Sequence, residues 1–285
     1  MTEGATSSII GQLLTRYNRY LAPDLFEAEA KSIVKGQPIE IDPRTLFQVT
    51  SSQVFVFPVT ISILLVFAMQ IAATSVASEK EEKTLETLLS LPIDRFTILL
   101  GKMTGSIVVA AVGAVAYMVG FNYYMTSVTS GLGSQVPVNL ESMGLAPSLL
   151  SYLLLGGSLF VAILSALSLA VILSAFTEDV RSAQSYISYL YIIIMFPMLL
   201  VMFSDINTLP LALRIVAYAI PYTYPMLAAK AALTGEYLLA SFGIVYVAVF
   251  TIILLYIAAK LFATEKILTA KLRIRGFRAR ILRVS

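Results

Sequence analysis

Five stretches of this sequence are apolar and free of Lys, Arg, Asp and Glu: 54–77, 103–126, 147–176, 186–203 and 237–259. A helix rises ~1.5 Å per residue, so roughly 17–25 residues cross the ~30 Å of hydrocarbon in a bilayer. Each stretch meets that length. Inside hydrocarbon every backbone N–H and C=O must find its partner within the protein, which makes such a stretch a helix. The expectation is an all-α integral membrane protein with five transmembrane helices. Pro197 predicts a kink in the fourth. Composition agrees: 13% of residues are charged, against about 25% in a soluble domain.

What lies between the apolar stretches sets their direction. The segments 79–102, 177–185 and 260–285 carry four, one and eight Lys or Arg, whereas 127–146 carries none and 204–236 only Arg214 and Lys230. Basic residues collect on the cytoplasmic side. The first set is therefore expected inside and the C-terminus with it. Five crossings then leave residues 1–53 outside, although they hold Arg16, Arg19, Lys31, Lys35 and Arg44. The simplest account is a first transmembrane helix upstream that this chain lacks. The opening MTEGATSSIIGQLL does not read as a signal peptide.

Within 1–53, residues 7–34 predict one or two amphipathic helices broken near Ala22-Pro23, and 36–43 an extended segment and turn. Residues 209–236 are apolar but interrupted by Pro210, Arg214, Pro221, Pro225, Lys230 and Gly235. They suit a re-entrant hairpin of short helices, or an interfacial helix anchored by tyrosines. The tail 265–285 interleaves Lys and Arg with Leu, Ile and Phe. It is expected along the anionic inner leaflet, at ~1 kcal/mol per basic residue, with membrane lipid and not nucleic acid as its partner.

Several chemistries are excluded. The chain has no Cys and no His, so disulfides, thiolate catalysis and His-based metal or acid–base sites are absent. Ser106, Ser151, Ser158, Ser165, Ser168 and Ser174 read as small, back-bonded packing residues and not as nucleophiles. No carboxylate or cation lies within a span to bind a coupling ion, as gradient-driven transporters commonly require. Gly101-Lys102 is followed by Met103 and lacks the spacing of a phosphate-binding loop. If nucleotide hydrolysis drives this protein, the ATPase is a separate subunit.

The natural contact for such a subunit is the charged block 79–102, EKEEKTLETLLSLPIDRFTILLGK. Residues 79–90 predict a helix, with Glu79 and Lys83 as an i,i+4 pair. Leu85, Leu88 and Leu89 share one face, flanked by Thr84 and Thr87. Pro92 ends that helix, Asp94 caps a second short one bearing Phe96, Leu99 and Leu100, and Gly101 permits a bend.

Glu79-Lys80-Glu81, Thr84, Glu86, Leu88-Leu89, Pro92, Arg95 and Gly101-Lys102 resemble the signature EKE.GTLE.LL..P..R.....GK of the ABC-2 type permease family. Lys83 stands where that pattern has glycine, a departure of little consequence to a continuous helix. The segment Arg181-Ser182-Ala183-Gln184 leading to Pro197, the run from Ile220-Pro221 to Gly235, and Tyr17 to Pro43 are similar to further parts of sodium-efflux-type members. The resemblance spans about residues 12–264. It implies a six-helix bundle lacking its first helix, with 1–53 as the remnant of an extracellular domain and 54–264 as the permease domain. It also implies a coupling helix at 79–91 seated on an ABC ATPase through Glu79, Glu81, Glu82, Thr84, Leu85, Glu86, Leu88, Leu89, Pro92 and Arg95. The expected assembly is an exporter of the cytoplasmic membrane, built of two permease chains, alike or different. ATP and Mg would be bound by the partner ATPase and no cofactor by this chain. A membrane scaffold or a gradient-driven transporter are the alternative readings. A neighbouring ATPase gene separates them.

Overall fold

The computed structural model describes residues 43–84, 95–133, 148–235 and 237–263, with a few positions between 10 and 39 ahead of them. Strands β1 (Ser32–Val34) and β2 (Gln37–Ile39) pair antiparallel, with Ser32 opposite Ile39 and Val34 opposite Gln37. Residues 32–34, expected as the end of a helix, are therefore a strand. Ile33 and Val34 are β-branched and suit that conformation.

Five long helices follow: α1 (Pro43–Glu81), α2 (Arg95–Gly133), α3 (Leu149–Ala175), α4 (Val180–Phe203) and, after two shorter ones, α7 (Tyr237–Ala263). Each contains a stretch long and apolar enough to cross a membrane, in the order the sequence predicts. The helices overrun the apolar stretches because charge bars a residue from hydrocarbon but not from a helix. Thus α1 starts at Pro43, whose fixed φ suits a first helical position, and α4 starts at Val180, six residues before its apolar stretch. Inside α1, Pro58 lacks the N–H of a regular helical residue. The hydroxyls of Thr60 and Ser62 donate to the carbonyls of Val56 (2.8 Å) and Pro58 (2.7 Å) around it.

The chain forms two compact units, one of residues 1–63, 113–160 and 193–247, the other of 64–112, 161–192 and 248–285. In the first, Phe57 packs against Phe121 with ring centres 4.8 Å apart, and Tyr124 and Tyr152 extend the aromatic cluster. In the second, Val76, Val171 and Ala175 form one apolar cluster and Ile172, Leu254 and Ala258 another. Helix α3 is the most buried of the long helices. Its Ser165, Ser168 and Ser174 donate to carbonyls three or four residues back, as the packing reading of these serines expects.

Residues 209–236 form two short helices, α5 (Leu211–Ala219) and α6 (Thr223–Thr234), preceded by a 3-10 turn at Ile206–Thr208. Gly235 ends α6 at φ 79°, a left-handed position that favours glycine. Residues 221–229 are all buried, whereas α5 is largely exposed. Protein thus covers α6, the condition under which broken backbone survives at membrane depth. Lys230 on α6 pairs with Asp205 at 2.8 Å. Asp205 also accepts from the Asn207 N–H (3.0 Å), and Asn207 accepts from the Tyr218 hydroxyl (3.1 Å).

Candidate functional site

Charge returns to the chain at Glu79, two residues before α1 ends. Consecutive residues of a helix point ~100° apart, so Glu79, Lys80 and Glu81 face three directions and meet three neighbours. Glu79 pairs with Lys102, two turns into α2. Lys80 Nζ donates to the carbonyls of Ala175 (2.8 Å) and Thr177 (2.6 Å), where α3 ends. Glu81 Oε2 accepts from the N–H of Val180 (3.2 Å), where α4 begins.

These partners are the groups that helix ends leave unsatisfied. The last carbonyls of a helix have no intrahelical donor, and they carry the negative end of its dipole. A lysine answers both. The first N–H groups of the next helix attract carboxylates for the opposite reason. Asp179 takes the Ser182 N–H at 2.6 Å, and Glu81 takes that of Val180. The hydrogen bonds from Ser182 hold the Asp179 carboxyl below its ordinary range. Three successive side chains of α1 therefore join α2, the end of α3 and the start of α4, all within the second unit.

The helix then stops. The Glu82 N–H still reaches the Ser78 carbonyl (2.9 Å), but Lys83 adopts φ 58°, and the Thr84 hydroxyl turns back to the Glu79 carbonyl (2.9 Å). This corrects one expectation: residues 79–90 are interrupted at Lys83 and are not one continuous helix. Lys83 holds the left-handed position at a helix end that glycine usually fills, so the departure from the signature at this residue has a structural consequence. A left-handed non-glycine residue costs about 1–2 kcal/mol.

Among the signature residues, Glu79 is half-buried, whereas Glu81, Glu82 and Thr84 are exposed. Arg95 opens α2. Leu85, Glu86, Leu88, Leu89 and Pro92 lie outside the described residues, as does the tail 265–285. Sequence reasoning missed the roles of Lys80, Lys102 and Asp179. A signal for Asp179 was present: Asp, three residues before Ser and at the head of a helix, is an N-cap pattern.

Five apolar helices with a polar knot at one set of ends define a multi-pass membrane protein. A family model described as ABC-2 family transporter protein matches residues 2–262. The chain belongs to that family and is a membrane permease of an ABC transporter. Comparison with curated proteins and with solved structures finds no match.

Proposed function

We propose that the chain is the permease subunit of an ATP-driven exporter in the cytoplasmic membrane, with its C-terminus inside and residues 1–53 outside. The work comes from a separate ABC ATPase that binds ATP and Mg. Two permease chains, alike or different, complete the assembly. One observation carries the reading: the acidic segment at the end of the first span is tied by Glu79, Lys80 and Glu81 to three other helices, two of them at their ends. A push on that segment reaches α2, α3 and α4 through short polar contacts, which is what a coupling element must do.

On this reading the signature residues divide their work. Glu79 and Glu81 brace the segment from within, and Arg95 starts the helix that returns into the membrane. Glu82, Thr84 and Glu86 offer polar contacts to the ATPase, with Leu85, Leu88 and Leu89 seated on apolar surface and Pro92 closing the element.

The test is co-purification of the detergent-solubilised protein with an ATPase, followed by the pair Glu82→Lys and Glu86→Lys. Membrane insertion should persist while the recovered ATPase drops at least several-fold. Unchanged recovery overturns the contact. Labelling of Lys83 by an impermeant reagent added outside intact cells overturns the orientation.

A further inference from the structure

Within the first unit, a groove of about 360 Å³ opens between α2 and α3, lined by Val115, Met118, Val119, Asn122 and Tyr152. Its two ends differ in chemistry. Val115 lies at the middle of the span Thr104–Ser127, and Val119 one turn further along; both are exposed. Asn122 lies one turn and a half from the Ser127 end of that span, and Tyr152 near the Leu149 start of the next. The groove therefore runs about 10 Å along α2, from the bilayer centre towards one interface.

At its interfacial end Asn122 Nδ2 donates to the Tyr152 hydroxyl at 3.0 Å. That leaves Asn122 Oδ1 as an acceptor and the phenolic proton as a donor. Among the described residues nothing donates to the first or accepts from the second. Unanswered polar groups are costly against lipid. The apolar end is built by a glycine. A Cβ on Gly156 of α3 would meet Met118 Sδ, so the glycine lets Met118 lie against α3 and floor the groove, and a larger residue there would displace the Met118 side chain.

We propose that this groove binds a membrane amphiphile. One acyl chain lies over Val115, Met118 and Val119, and a hydroxyl or ester of the head region accepts from Tyr152 or donates to Asn122. An ester oxygen serves the first role and a hydroxyl both. The inference rests on the membrane span of α2 and α3 and is independent of any coupling to an ATPase.

The experiment uses the full chain in vesicles of phosphatidylcholine and phosphatidylglycerol, doped with a phosphatidylcholine carrying an acyl-chain diazirine. A parallel arm carries the diazirine on a monoacylglycerol, so that resident bilayer lipid is told apart from a single-chain amphiphile. Preferential labelling of 115–122 over the exposed α7 positions Phe242 and Val245 is expected in at least one arm. Gly156→Ala, which pushes Met118 into the groove, and Asn122→Leu, which removes the amide, should each lower it at least five-fold with α7 labelling unchanged. Asn122→Leu keeps the test decisive if Gly156→Ala fails to fold. Equal labelling of both faces, or no response to Asn122→Leu, overturns the proposal. So does efficient disulfide formation between two copies carrying Val119→Cys, which assigns the face to a second chain; the absence of native cysteine makes that readout clean.

Discussion

Lys80 Nζ lies 2.8 Å from the carbonyl oxygen of Ala175, so a side chain at the end of α1 closes the end of α3. The same ammonium reaches Thr177 at 2.6 Å. Hydrogen bonds to a charged group are worth about 1.5–3 kcal/mol when shielded. Lys80 is half-exposed, so about 1 kcal/mol is the expected net effect after screening. Lys80→Met should lower the Tm in detergent by about 2–4 °C, and Lys80→Arg by less, since it retains donors. An unchanged Tm in Lys80→Met would show that water answers those carbonyls equally well.

Lys83 makes the second prediction, because its backbone and not its charge is at issue. At φ 58° glycine is at ease and a β-branched residue is strained. Lys83→Gly and Lys83→Val remove the same side-chain functions, so their difference isolates the backbone. The valine variant should be less stable than the glycine variant by about 1 kcal/mol or more. Equal melting points would mean that the turn relaxes freely and is no fixed break in the chain.

The legible part of the sequence was whatever depends on solvent. Five charge-free stretches specified five helices, because hydrocarbon admits no other local form. Helix ends were less visible. The overrun of α4 back to Val180 depends on the Asp179 cap and on Glu81, which is remote in sequence. Likewise the pairing of Glu79 with Lys102 is remote in sequence, and residue propensities read the stretch through the left-handed turn at Lys83 as uninterrupted helix. Among the signature residues, sequence pattern placed the acidic cluster correctly at the end of the first span. It did not separate those that grip other helices from those that face outward, since 79, 80 and 81 differ only in the direction each takes from the helix axis.

The ion pair between Glu79 and Lys102 yields a third prediction. Side-chain exposures of 29% and 17% place it between a surface pair worth about 0–1 kcal/mol and a buried one whose rupture costs about 3–5 kcal/mol. Glu79→Lys or Lys102→Glu alone sets like charges together and should destabilise by about 1–2 kcal/mol. The double exchange should recover much of that loss, and a double-mutant cycle on Tm measures the coupling. The comparison also separates stability from transmission. If the pair passes movement from the segment to α2, the exchanged protein should regain ATPase coupling along with its Tm. Additive losses would show that the two side chains act independently.

Acid should weaken the tie between α6 and the segment following α4. The hydrogen bond from Lys230, opposed in part by burial and aided by the Asn207 N–H, holds the Asp205 carboxyl below its ordinary 3.8. A carboxylate with a depressed folded-state pKa binds protons less readily folded than unfolded. Its contribution is therefore fully present above the unfolded value and is lost as pH falls through 3.8 towards the lower folded value. Tm measured from pH 7 down to pH 3 should fall more steeply in the native chain than in Asp205→Asn, which cannot titrate. Both partners are more than a third exposed, so salt should shrink the difference. Identical pH profiles for the two proteins would show that Asp205 and Lys230 meet without stabilising the hairpin.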